Sequence, residues 1–134
     1  MYGTLDILNI HFNELNFGNL NLVANQLKEK GHPWEVAKAF DGSCPLSEFV
    51  SAEGCDWGNM ALRLTRNGKL QQDGNSGAMI TPVLALLSYI SQTFTLLPGD
   101  VVLTGTPAGV GPLASGDTLE AQLADCVRVS TRVR

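Results

Sequence analysis

The dipeptide Asn67-Gly68 constrains this chain more than any other feature. It sits between two short runs, 61–66 and 69–73, and the first of these alternates Leu62 and Leu64 with polar neighbours. Asn-Gly supplies the two positive-φ residues that a two-residue hairpin turn requires. An antiparallel hairpin over 61–73 is therefore expected. The C-terminal end reads the same way. Val127, Val129, Thr131 and Val133 fall on one side of a strand, and Arg128, Ser130, Arg132 and Arg134 on the other. That alternation marks an antiparallel strand with one wet face. A preceding strand is expected over 118–123, entered by Ser115-Gly116-Asp117 and left by Ala124-Asp125.

Two helical segments interrupt the β signal. Leu20, Val23, Ala24 and Leu27 recur at helical spacing, Lys28 and Lys30 lie in the last turn, and Gly31 suits a left-handed cap. Pro33 blocks continuation, and 34–40 reads as a strand with Trp34, Val36, Lys38 and Phe40 on one face. A second helix is expected over 81–94, with Thr81 as cap and Pro82 at its first position. Apolar residues on most of its faces predict that it is largely buried. Val101, Val102 and Leu103 predict a short buried strand. The sum is a β-dominated α+β domain.

At 134 residues the length favours one domain. Charged residues make up 16%, against about 25% in ordinary soluble domains. Part of the surface is thus expected to be covered by other polypeptide. The net charge of −4 and the lack of a basic patch argue against nucleic acid. The apolar stretch 79–90 is broken by Thr81, Pro82 and Ser88 and is too short to span a bilayer. The first residues do not read as a signal peptide. Cys44, Cys55 and Cys126 form no paired spacing, which predicts a reducing, cytoplasmic setting. Residues 1–27 hold six Asn and no Lys or Arg, and 1–18 specify little structure.

Three places could carry chemistry. The segment 104–112, Thr-Gly-Thr-Pro-Ala-Gly-Val-Gly-Pro, combines close backbone approach with a fixed shape. It reads either as a rigid corner or as a ligand loop whose threonines meet carboxylate or carbonyl oxygens. It lacks the Gly-Lys-Ser/Thr of a phosphate loop. Lys38, on an apolar strand face, either snorkels to water or is held by an anion. Gln72 is either an amide ligand or an exposed strand residue. His11 and His32 lack metal spacing, and no Gly-x-Ser-x-Gly elbow occurs.

Two longer stretches are more specific. Gly31-His-Pro-Trp-Glu-Val-Ala-Lys-Ala-Phe-Asp-Gly-Ser-Cys-Pro-Leu-Ser47 resembles the fumarylacetoacetate hydrolase family, and so does Leu97-Pro-Gly-Asp-Val-Val-Leu-Thr-Gly-Thr-Pro-Ala-Gly-Val-Gly-Pro-Leu113. Asn67-Gly68, Gln72 and Met79-Ile80 keep the family's order between them. The resemblance runs from about Leu20 to the C-terminus and is greatest to the bacterial acylpyruvate hydrolase and oxaloacetate decarboxylase-like branch. It implies a mixed β-roll, incomplete here at its N-terminal side, and a homodimer. Residues 1–18 would be a divergent segment and 19–134 the C-terminal part of the catalytic domain. It also implies Mg2+ or Mn2+ and small 2-oxo acid substrates, cleaved by acylpyruvate hydrolysis or oxaloacetate decarboxylation. Lys38 matches the family's active-site lysine. Gln72, Gly105 and Thr106 match positions that hold substrate oxygens.

The same resemblance marks departures. The family's Glu-x-Glu metal pair lies upstream of anything in this chain. Its Asp-x-x-x-Arg-x-x-Gln pattern aligns with Phe17, Asn21 and Ala24, which cannot replace a carboxylate, a guanidinium and an amide. The expected function is a metal-dependent hydrolase or decarboxylase whose metal ligands are not in this chain. The alternatives are a truncated, non-catalytic remnant or interaction module, and one half of a split enzyme.

Overall fold

The computed structural model describes residues 26–33, 39 and 44–133. The segment 1–18, Lys38 and all of the expected 34–40 strand except Ala39 lie outside the described residues. So do Phe17, Asn21 and Ala24.

Four strands form one antiparallel sheet. They are β1 (Ala61–Arg66), β2 (Lys69–Asn75), β3 (Thr118–Leu123) and β4 (Val127–Arg132), in the order β2-β1-β3-β4. Asn67 at φ +52° and Gly68 at φ +74° make the expected turn between β1 and β2. Along β4 and the residue that follows it, Val127 and Val133 are buried while Arg128, Ser130 and Arg132 are exposed. The alternation predicted for the last strand therefore holds. The core lies on one face of the sheet. Leu119, fully buried, and Ala121 of β3 sit with Met60, Val127 and Val133, and Leu62 and Leu64 of β1 pack against them.

The β1–β2 ladder slips once. Leu64 pairs with Gln72 but Thr65 pairs with Leu70, so Gln71 is the extra residue of a β-bulge. A bulge bends its strand and re-aims side chains.

The end of the first helix is as expected where it is described. Residues 26–29 are helical, and Gly31 at φ +62° closes the helix. Its N–H bonds the Lys28 carbonyl at 3.1 Å, and His32 N–H bonds the Leu27 carbonyl at 2.9 Å. This pair of bonds is the Schellman closure.

Two expectations fail. Helix α1 spans Val83–Ser91, stops short of Phe94 and contains no buried residue. Val83, Leu86, Leu87 and Ile90 form a half-buried stripe, while Leu84 and Tyr89 on the other side are exposed. Leu86 N–H bonds the Pro82 carbonyl, so Pro82 is the cap position and Thr81 lies outside the helix. All-round apolarity gave no measure of how many faces find a partner. Residues 101–103 form no strand, and Val101 and Leu103 are 40% and 48% exposed. β propensity becomes a strand only where a neighbour completes the ladder, and no described strand pairs with this run.

Candidate ligand-binding cleft

A cleft of about 780 Å3 opens between the core face of the sheet, α1 and the loop 104–108. Its apolar wall includes Leu62, Leu64, Leu86 and Leu87, and its polar groups include Gln72, Thr104 and Thr106. Gln72 and Thr106, matched by sequence to one site, do come together here. Gly105 lies on the same loop and lines the same cleft.

Gln72 sits across from Leu64 in register and is only 8% exposed. The sequence allowed an exposed strand residue here, and the structure excludes that. A buried amide is costly unless hydrogen-bonded. Gln72 Nε2 meets that need by donating to Thr106 Oγ1 at 3.0 Å and to the Pro107 carbonyl at 2.9 Å. The bulge brings the preceding residue to the same loop, where Gln71 Nε2 donates to the Gly109 carbonyl at 2.6 Å. A regular strand would send consecutive side chains to opposite faces.

Backbone contacts press the loop against β2. A Cβ on Gly74 would lie 2.7 Å from Pro107 Cβ. One on Gly109, at φ +103°, would lie 2.2 Å from the Gln71 carbonyl oxygen. Gly105, at φ +107°, has nothing within 4 Å of its missing Cβ and faces open space. Further along, Arg66 Nη1 donates to the Pro112 carbonyl at 2.7 Å. The segment is therefore a rigid corner that also holds two threonines at a cleft, so the two sequence readings are compatible. Gln71 and Gly74 were not singled out from sequence. A glycine inside a strand was the available signal, since it often marks close backbone approach.

A second polar cluster anchors the far end of the hairpin. Asp117 accepts from Asn67 Nδ2 at 2.7 Å and from Ala114 N–H at 2.8 Å. Arg66 Nε lies 2.8 Å from Asp117 Oδ2, but its N–H direction misses a hydrogen bond, so that contact is an ion pair. The Ala114 N–H, then the Asn67 amide, with Arg66 adding, hold the Asp117 carboxyl below its ordinary range despite burial. This cluster fixes structure and lies outside the cleft lining.

Among the described residues, no group of three His, Cys, Asp or Glu side chains could hold a metal ion. Asp73 is the carboxylate lining the cleft, and Arg63 Nε pairs with it at 3.3 Å in an exposed contact. The described donors therefore do not fit a divalent cation, which takes several oxygen ligands. No described helix is long and apolar enough to cross a membrane.

A family profile described as "Fumarylacetoacetate (FAA) hydrolase C-terminal" matches residues 20–134. The chain is 50% identical over 113 residues to "Oxaloacetate tautomerase YcgM" of Escherichia coli K12, covering 83% of this chain and 51% of that protein. It is 42% identical over 112 residues to the human "Oxaloacetate tautomerase FAHD1, mitochondrial", again covering 83% and 51%. Among solved structures, a fumarylacetoacetate hydrolase family protein from Yersinia pestis CO92 matches with a TM-score of 0.79 at 50% identity, covering 85% of this chain and 54% of that one. A fumarylpyruvate hydrolase from Pseudomonas aeruginosa, in complex with Mn2+ and pyruvate, matches with a TM-score of 0.77 at 33% identity, covering 84% and 48%. The chain spans about half the length of the curated relatives it matches.

Proposed function

Because the chain belongs to the fumarylacetoacetate hydrolase family, we propose that it forms the ligand-orienting part of an enzyme acting on small 2-oxo acids. One observation carries this reading. The loop bearing Gly105 and Thr106 is fastened by Gln71 and Gln72 to the rim of a largely apolar cleft. A 2-oxo acid presents a carboxylate and a keto oxygen, both acceptors. The Thr106 hydroxyl and the Gly105 N–H are donors on one rigid turn, and neither donates to a described residue.

The candidate reactions share an intermediate. Removing a proton beside the keto group, losing CO2 from oxaloacetate, or cleaving an acylpyruvate each leaves an enolate on the pyruvate unit. Donors placed in advance where that charge develops lower the barrier without reorganising. Thr106 and Gly105 would orient the keto acid and stabilise the enolate oxygen, and Lys38 would add positive charge. The names of the E. coli and human relatives favour tautomerisation of oxaloacetate. Acylpyruvate hydrolysis and oxaloacetate decarboxylation stand beside it. The family resemblance adds Mg2+ or Mn2+, and the Mn2+ and pyruvate of the Pseudomonas relative support that. The described residues offer no ligand set for the cation, so no step here is routed through it. The proposal also includes the mixed β-roll, the catalytic-domain part at 19–134, a homodimer and a cytoplasmic setting. Exposed Ile80, Leu84, Tyr89 and Phe94, on and beside α1, support the covering of this region by further polypeptide.

The test is the ultraviolet absorbance of enol-oxaloacetate over time with the purified chain, with and without Mg2+ or Mn2+. Decay faster than buffer, cut at least tenfold by Thr106→Val, supports the proposal. Decay at the buffer rate under every condition contradicts turnover by this chain and favours a non-catalytic remnant or interaction module.

A further inference from the structure

The direction of one hydrogen bond decides what the cleft can hold. Gln72 Nε2 faces the Pro107 carbonyl at 2.9 Å. A peptide carbonyl only accepts, so the amide end facing it must be the nitrogen. That settles which end of the Gln72 amide is which, a choice usually made from the hydrogen-bond network. The same nitrogen lies 3.0 Å from Thr106 Oγ1. Its two hydrogens are therefore both committed, one to Pro107 and one to Thr106. Having accepted from Gln72, the Thr106 hydroxyl keeps its own hydrogen, and it donates to no described residue.

We propose that Gln72 is a positioning residue that orients the Thr106 hydroxyl and keeps its hydrogen free to donate to a ligand oxygen such as that of a carboxylate or an enolate. Three observations support this. Gln72 is a buried amide on an apolar sheet face, opposite Leu64, where an alkyl side chain would pack at lower cost. The bulge at Gln71 gives the loop a second tie, to Gly109, so the loop is fastened both at Thr106 and three residues beyond it. Gly74 lets Pro107 close onto β2, which brings the Pro107 carbonyl within reach of the amide. The inference rests on the reading of this cleft as a 2-oxo acid site only in taking Thr106 to face the ligand.

A double-mutant cycle on the full chain tests it, with oxalate as the probe and binding followed by NMR titration. Gln72→Met keeps length and removes both donors without adding charge. Thr106→Val keeps shape and removes the hydroxyl. Each single variant is expected to weaken oxalate binding at least tenfold. The double variant is expected to bind within threefold of Thr106→Val, because Gln72 acts through Thr106. Unchanged affinity in Gln72→Met, or losses that multiply in the double variant, overturns the inference. Amide exchange at Leu119 and Ala121, unchanged in each variant, confirms that the core is folded. If the unaltered chain leaves oxalate unbound, the keto-acid reading fails. The positioning role is then decided by backbone 15N order parameters over 104–111, expected to fall in Gln72→Met and overturning the role if unchanged.

Discussion

Gly109 lies so close to Gln71 that a Cβ on it would meet the Gln71 carbonyl oxygen at 2.2 Å. The glycine also sits at φ +103°, a conformation that side-chain-bearing residues avoid. Both penalties fall on Gly109→Ala, and the clashing atom is backbone, so no rotamer relieves it. The expected loss is roughly 2–4 kcal/mol, read as a lower midpoint in urea unfolding. Gly105→Ala carries the φ penalty without the clash and should cost less. Equal losses in the two variants would mean that the loop does not press on β2 as described.

Asp117 gives the chain an acid limb to its stability. Ala114 N–H, then Asn67, with Arg66 adding, depress its folded-state pKa. A depressed carboxylate stabilises the fold above its unfolded value, and that contribution disappears as pH falls through the folded value. The melting temperature of the unaltered chain should therefore exceed that of Asp117→Asn at neutral pH. The gap should narrow as pH drops below about 4, the ordinary aspartate range. A gap independent of pH would contradict the assignment.

The hairpin and the C-terminal strands were legible because their signals are local. Asn67-Gly68 needs no partner to favour its turn, and alternation from Val127 to Val133 needs only one buried face. Gly31 was legible for the same reason. The burial of α1 and the state of 101–103 depend on what lies beside them, which a run of apolar letters does not specify. The candidate site was legible in part. Gln72 and Thr106 were found through the family's motif order, and the structure joins them by a hydrogen bond. The bulge at Gln71 was invisible, because Leu70 is the sole apolar residue between Lys69 and Asn75 and no alternation exists there to be broken.

Leu119 is the largest fully buried side chain among the described residues. Its strand pairs with both β1 and β4, so its surroundings are held from two sides. Leu119→Ala should cost about 2–5 kcal/mol, seen as a fall in thermal midpoint. Leu84, 55% exposed in the single chain, lies where covering by further polypeptide is proposed, so Leu84→Ala should cost about 2 kcal/mol or more. A loss well under about 1 kcal/mol, as at an uncovered surface position, would contradict that covering.

The central claim is that the loop carrying Gly105 and Thr106 receives the oxygens of a 2-oxo acid. Titrating pyruvate into the isotope-labelled full chain and following its amide signals tests this most directly. The account predicts saturable shifts concentrated at Gly105, Thr106 and the side-chain amide of Gln72, and their loss in Thr106→Val. Shifts confined to other surfaces, or none at millimolar pyruvate, would contradict it.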